Sequence, residues 1–252
     1  MSFERQQRDW EDLAALDPLW AVMSYRDKKL GRWDQQEFLD TGRQQMDRHL
    51  ARSAALGYPR HFDSVLDFGC GVGRLAPALS SAFTAYHGVD ISAGMVTRAR
   101  ELHPHRDNCT FSVVSEDSLS RFPDSSFDFV VTFFVLQHVA LRVTILAYIA
   151  QLVRVLRVGG MLVFQLPARI PPAEKFLYDA RRRLWNAFRG AGTSQRLLHR
   201  YLALSPMVMN FVPEADVVEV VRASDGELVD LERTRGGMAI SDRTYYVTRR
   251  AS

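Results

Sequence analysis

Between Val65 and Leu75 the chain reads VLDFGCGVGRL, with glycines at 69, 71 and 73. Glycine adopts left-handed backbone angles without steric cost and lets a ligand approach the main chain, and a helix that follows such a turn opens on unpaired amides. A dinucleotide fingerprint would need Gly or Ala at position 74, and this chain has Arg74, so its glycines alternate instead as G-x-G-x-G. Asp67 adds a carboxylate two residues before the first glycine. That charge repels a pyrophosphate and attracts an ammonium or sulfonium. The loop therefore favours a cationic adenosyl ligand over NAD. A second carboxylate, Asp90, ends the next apolar run, YHGVDIS, nineteen residues after Gly71.

Beyond the loop, His138 in FFVLQHV is the best-placed titratable group for proton transfer. Two readings stand side by side: a general base, or a helix-start histidine bonded to backbone. His103 and His105 flank Pro104 in what reads as a surface loop, and His49, His61 and His87 have no partner by spacing. These histidines form no metal constellation, so no metal is expected. Cys70 reads as a small loop residue and not as a nucleophile.

These residues need elements to hold them. Short apolar runs at 64–68, 85–89, 110–114, 127–133 and 161–166 alternate with helical stretches at 74–82, 93–102 and 142–156. Continuous apolar strands separated by helices make a buried, mostly parallel sheet. Upstream, Trp10, Leu13, Leu16 and Trp20 recur at helical spacing, and Phe38, Met46 and Leu50 continue it. Downstream, PARIPP signals a loop after Leu166, residues 173–204 read as helix, and 213–223 as the last helix. ELVDLERT and RTYYVTRR then form an antiparallel pair. The expected class is α/β, a doubly wound Rossmann-like seven-stranded sheet with an antiparallel C-terminal strand, N-terminal helices and a helical insertion before the last helix. Its parts are a helical cap at 1–62, a cofactor-binding core at 63–168, an insertion at 169–212 acting as substrate cap, and the rest of the core at 213–252.

The loop resembles motif I of the class I S-adenosylmethionine (SAM) dependent methyltransferases, small-molecule type. The resemblance covers about residues 64–168 and extends more loosely through the C-terminal strand pair. It implies a SAM site at Asp67, Gly69, Cys70, Gly71 and Gly73, with S-adenosylhomocysteine as product. It implies that Asp90 accepts the ribose hydroxyls, that Ile91 and Met95 lie near adenine, and that Glu116 or Asp117 meets the adenine amino group. Phe133 and Phe134 would border the methyl donor. LRVGGMLVF resembles the stretch into strand five, with Val158 where proline is usual.

The resemblance implies methyl transfer to an oxygen or nitrogen of a small metabolite. Against a nucleic-acid acceptor, the chain lacks an Asn/Asp-Pro-Pro-aromatic tetrapeptide after strand four, a Pro-Cys nucleophile and any recognisable RNA-binding module. A non-catalytic SAM-binding protein would keep the same loop and Asp90. Trp20, Trp33 and Phe38 are expected to close over SAM, and Tyr178, Trp185, Phe188, Tyr201 and Met207 to wall the acceptor side.

With 252 residues, 47% hydrophobic and 24% charged, the composition is that of a globular domain and excludes disorder and collagen. Two cysteines cannot frame a secreted disulfide scaffold, and the charged opening MSFERQQRDWEDL has no secretory pattern, so a cytoplasmic setting is expected. No membrane partner is expected, and either a monomer or a homodimer fits. The net charge of +3 is unevenly placed: residues 169–200 hold eight basic and two acidic side chains, a net +6, which leaves −3 for the rest. Two uses fit that basic insert, a solvated face or attraction of an anionic acceptor or partner.

Overall fold

The alternation of apolar runs and helical periods resolves, in the computed structural model of the protein, into one seven-stranded sheet covered on both faces; residues 2–115, 119–202, 204–235 and 240–251 are described. Helices α1 (Phe3–Leu16), α2 (Pro18–Val22) and α3 (Gln35–Ala55) precede β1 (Ser64–Phe68), α4 (Ala76–Ala82), β2 (Ala85–Asp90), α5 (Ala93–Leu102) and β3 (Cys109–Val113). After β4 (Phe127–Thr132) come α6 (Arg142–Val155), β5 (Leu156–Arg169), α7 (Pro172–Gly190), α8 (Gln195–Tyr201), α9 (Glu214–Ala223), β6 (Gly226–Arg235) and β7 (Ser241–Arg249). The strand order is β3-β2-β1-β4-β5-β7-β6. β1 to β5 run parallel, and β7 pairs antiparallel with both β5 and β6.

Strict alternation of side chains across a strand divides the interior into two cores. Leu66, Val130, Leu162 and Phe164 join Ile149 and Val217 on one face of the sheet. Val65, Phe129, Val131 and Val163 join Met46 and Leu79 on the other. All six positions of β4 are buried, as a central parallel strand requires. Each such side chain contributes roughly 1.5–3 kcal/mol of burial energy, so the sheet centre is a firm platform for the loops at its carboxyl edge. Chain order reverses between β1 and β4, and that switch point is where an open α/β sheet opens a crevice.

Several boundaries differ from the sequence reading: β5 starts at Leu156, and the helix expected over 173–204 is broken into α7 and α8. PARIPP does not end the strand: β5 continues through Pro167 to Arg169, pairing with Asp242 and Ser241 of β7. Beyond Phe164 only β7 pairs with β5, so the missing N–H of Pro167 sits beside an open edge, where proline is tolerated. α4 starts at Ala76, because Arg74 and Leu75 still belong to the glycine turn.

Candidate functional site

The turn after β1 is built by its glycines. Gly69, Gly71 and Gly73 all hold left-handed φ, at 77°, 54° and 77°. Gly69 and Cys70 both donate their amides to the Val89 carbonyl, at 2.8 and 3.0 Å. A Cβ on Gly69 would collide with Val135, and one on Gly71 would come within 2.7 Å of Val22. The turn is thus clamped between the segment after β4 and α2, with no space for larger residues.

Asp90, at the end of β2, locks the turn from the other side. Its Oδ2 accepts the Gly71 amide at 2.9 Å and its Oδ1 the Ser92 amide at 2.9 Å. Burial pushes this carboxyl up to about 6, opposed by the amides of Ser92 and Gly71. Ser92 in turn caps α5 through the Met95 amide.

At the carboxyl ends of β1, β2 and β4 lies a cleft of about 760 Å³, its mouth included. Gly69, Gly71, Asp90, Ile91 and Met95 form its floor with Phe68, Val89 and Val114. Phe133, Phe134, Val135, Val139 and Tyr148 supply one wall. Phe134 holds a positive φ of 60°, an unfavourable angle for a bulky residue, and the Arg74 guanidinium lies 5.8 Å above its ring. The opposite wall is α1 with Phe3, Gln6 and Trp10, and α2 with Ala21 and Val22. α1 is tied down beside the cleft: Gln7 Nε2 donates to the Ile91 carbonyl at 2.9 Å, and the Glu11 carboxylate accepts from the amides of Ala93 and Gly94 at the start of α5. Among the described lining residues Asp90 is the one carboxylate, and no lysine or arginine is present.

Of the residues expected to meet a cofactor, Gly69, Gly71, Asp90, Ile91, Met95, Phe133 and Phe134 are therefore brought together on one cavity. Three others are not among its lining residues. Asp67 is buried behind the turn and accepts from the Tyr86 hydroxyl at 2.7 Å. Burial pushes its carboxyl up to about 7, opposed by that hydroxyl and by the Arg74 charge. Cys70 packs into the core with Tyr86 and Phe111, where burial raises its thiol far above the usual range. Gly73 faces His103 and Phe111, which a Cβ would approach within 3.0 Å. Glu116 and Asp117 lie outside the described residues.

His138 does not line the cleft. Its Nδ1–H donates to the Val208 carbonyl at 2.6 Å, and its ring meets Trp10 edge-on, 5.5 Å between centroids. The carbonyl fixes the tautomer and leaves Nε2 as the acceptor, while burial lowers the ring's basicity. Trp10 touches both His138 and the cleft, so the side chain exposed to a ligand is the tryptophan.

Other expectations need revision. His103 is buried, donating through Nε2 to the Gly73 carbonyl at 2.9 Å and stacking on Phe111, so it is part of the turn's support and not of a surface loop. His49 finds Tyr246 across the fold, at 2.7 Å. Trp33 and Phe38 pack beneath the cap, and Trp20 meets His199 edge-on; none of the three lines the cleft. Nor do Tyr178, Trp185, Phe188, Tyr201 or Met207, or any basic residue between 169 and 200. Phe3, Gln6, Ala21 and Val22 were not anticipated; helical spacing marked Trp10 as core-facing without showing what it covered.

Residues 66–164 match the methyltransferase domain family. A demethylmenaquinone methyltransferase of Tropheryma whipplei strain Twist is 34% identical over 119 residues, 46% of this chain and 47% of that protein. The chain thus spans about half the length of the curated relatives it matches. Magnesium protoporphyrin IX methyltransferase from Synechocystis PCC 6803, solved with bound SAH, superposes with a TM-score of 0.62 at 19% identity, over 98% of this chain and 100% of that one. A SAM-dependent methyltransferase from Methanosarcina mazei gives 0.58 at 20% identity, over 78% and 96%. At these identities the structural likeness establishes the fold.

Proposed function

We propose that this protein, whose residues 66–164 match the methyltransferase domain family, is a class I SAM-dependent enzyme that transfers a methyl group to an oxygen or nitrogen of a small, apolar acceptor. One observation carries the reading: a single cleft joins the glycine turn and the Asp90 carboxylate to walls that are otherwise almost wholly apolar.

The donor set suits the cofactor. Each Asp90 oxygen already accepts one amide and keeps a second lone pair, enough to take the two hydroxyls of a ribose. Ile91, Met95 and Val114 offer an apolar slot for a purine. The absence of a Cβ at Gly69 and Gly71 lets the ligand approach the main chain. When bound, SAM supplies an electrophilic methyl on a sulfonium sulfur. Transfer of that methyl to the acceptor's lone pair would break the carbon–sulfur bond, with a neutral thioether as leaving group and the acceptor's proton released. With so good a leaving group, alignment and exclusion of water carry most of the catalysis. Phe3, Gln6 and Trp10 on α1 would do both from one side, and Phe133 and Phe134 from the other.

The acceptor is read as apolar because no cation of the basic insert reaches the cleft, which removes the support for an anionic one. The two relatives named for their acceptors act on small molecules, demethylmenaquinone and magnesium protoporphyrin IX. Calorimetry with SAM, S-adenosylhomocysteine and NAD tests the cofactor: tight binding of the first two and none of the third is expected, and failure to bind either adenosyl compound ends the reading. Labelled methyl is then expected in a solvent-extractable pool. Label found in RNA alone would transfer the assignment to a nucleic-acid enzyme, and binding without any transfer would leave a SAM-binding protein.

A further inference from the structure

Helix α7 turns its apolar side away from the protein. At 100° per residue, Ala173, Phe176, Leu177, Leu184, Ala187 and Phe188 fall on one face, and all are exposed. Phe176 is 67% exposed and Leu177 and Leu184 49% each. The opposite face points inward and is largely polar. There Arg189 lies 3.9 Å from Asp12 of α1, Lys175 pairs with Asp179 at 2.7 Å, and Trp185 is buried against Leu198, Leu204 and Leu16. α8 adds exposed Leu197 and Tyr201, the latter 71% exposed, with exposed Leu202 at its C-terminal end. Half of the exposed large apolar side chains among the described residues lie between Phe176 and Leu202, on two helices that pack against each other.

The patch is rimmed by cations. Arg181 and Arg183 are exposed on either edge of the α7 stripe, and Arg196 and Arg200 stand exposed beside Leu197 and Tyr201. The acids within 169–200 are Glu174 and Asp179, and the latter is held by Lys175. We propose that α7 and α8 form a peripheral membrane-binding surface, which lies on an anionic lipid bilayer with its apolar stripe in the acyl boundary and its arginines among the headgroup phosphates.

Charge selects this occupant. A two-fold copy of the same face would set an arginine rim against an arginine rim, which is repulsive. An anionic bilayer offers an apolar layer bordered by negative charge, the complement of both features. Residues 169–200 carry a net +6 against −3 on the remainder, and four of those cations stand at this rim, a charge asymmetry that favours such a surface. No helix among the described residues is long and apolar enough to cross a membrane, so the contact is one of lying on the bilayer, not spanning it. Through Trp185 the inward face of α7 meets Leu16 of α1, the helix that walls the cleft.

The test is co-sedimentation of the full chain with vesicles of phosphatidylcholine alone or mixed with phosphatidylglycerol. Pelleting with the mixed vesicles is expected, weakening as salt is raised. The exposed-face variant F176S/L184S/F188S, checked for an unchanged melting curve, is expected to lose binding at least about 10-fold. R181Q and R183Q are each expected to weaken binding to the mixed vesicles about 5-fold and to leave any binding to phosphatidylcholine alone unchanged. Failure to pellet with phosphatidylglycerol vesicles overturns the proposal, as does binding indifferent to F176S/L184S/F188S. A concentration-dependent dimer that this triple variant abolishes, without vesicle binding, assigns the face to a second copy instead.

Discussion

Asp90 meets two demands with one carboxylate, holding the Gly71 and Ser92 amides and keeping lone pairs for a ligand. D90A should weaken SAM binding at least about 100-fold by calorimetry, since charge-assisted hydrogen bonds contribute about 1.5–3 kcal/mol each. The ionised form is the better acceptor, and burial sets its ionisation at about 6. Affinity for SAM should therefore fall as pH drops through 6, and D90N should flatten that profile; affinity unchanged down to pH 5 would count against the assignment. Asp67, also raised by burial, bears on stability. Its folded-state value of about 7 lies above the unfolded 3.8. Its contribution is then fully present below pH 3.8 and is lost as pH rises through about 7, a change of up to about 4 kcal/mol. Denaturant unfolding of D67N across that range should show a shallower decline than the parent. For His138, whose Nδ1 is held by Val208 and whose ring lies against Trp10, H138Q should lower kcat by less than about 10-fold. A loss of about 100-fold or more, with the pH dependence abolished, would make it the general base.

At the scale of elements, α1 is a wall fastened to the sheet by a few polar contacts. The Glu11 carboxylate receives the amides of Ala93 and Gly94, so one side chain of α1 serves as anion for the N-terminus of α5. E11A should loosen α1, speed hydrogen exchange along Phe3–Leu16 and weaken SAM binding about 5-fold, from a cap contribution near 1 kcal/mol. Unchanged exchange in E11A would show that the wall is held by apolar packing alone. The helical period of Trp10, Leu13 and Leu16 was legible in the sequence, but the use of each face was not. Trp20, Trp33 and Phe38 are equally amphipathic in pattern, yet they pack under the cap, while the smaller Ala21 and Val22 reach the cleft. Periodicity identifies which side of a helix is apolar; the element packed opposite decides whether that side meets a core, a ligand or solvent.

For the whole molecule, the cleft lies between the N-terminal helices and the sheet, so a ligand there bridges two parts of the fold. Saturation at 100 times the Kd adds about 2.7 kcal/mol. A thermal scan with S-adenosylhomocysteine should then raise Tm by roughly 5–10 °C for a chain of this size, and no shift would exclude the cleft as its site. Much of this architecture was readable from the chain: the runs at 64–68, 85–89 and 127–133 became β1, β2 and β4, and the C-terminal pair became β6 and β7. Strand length, glycine spacing and the carboxylate at position 90 are set within some ten to twenty residues, where sterics and local hydrogen bonds dominate. The tertiary structure decided what depends on partners far along the chain. Asp67 turns inward because Tyr86 receives it from the neighbouring strand, and His103 is buried because the Gly73 carbonyl and Phe111 enclose it. α7, whose stripe reads in sequence as any packed helix, faces outward because Asp12, Leu16 and Leu198 engage its other side. A linear pattern records which side chains are apolar; only the packed neighbours, brought together by the sheet, determine which of them remain in water.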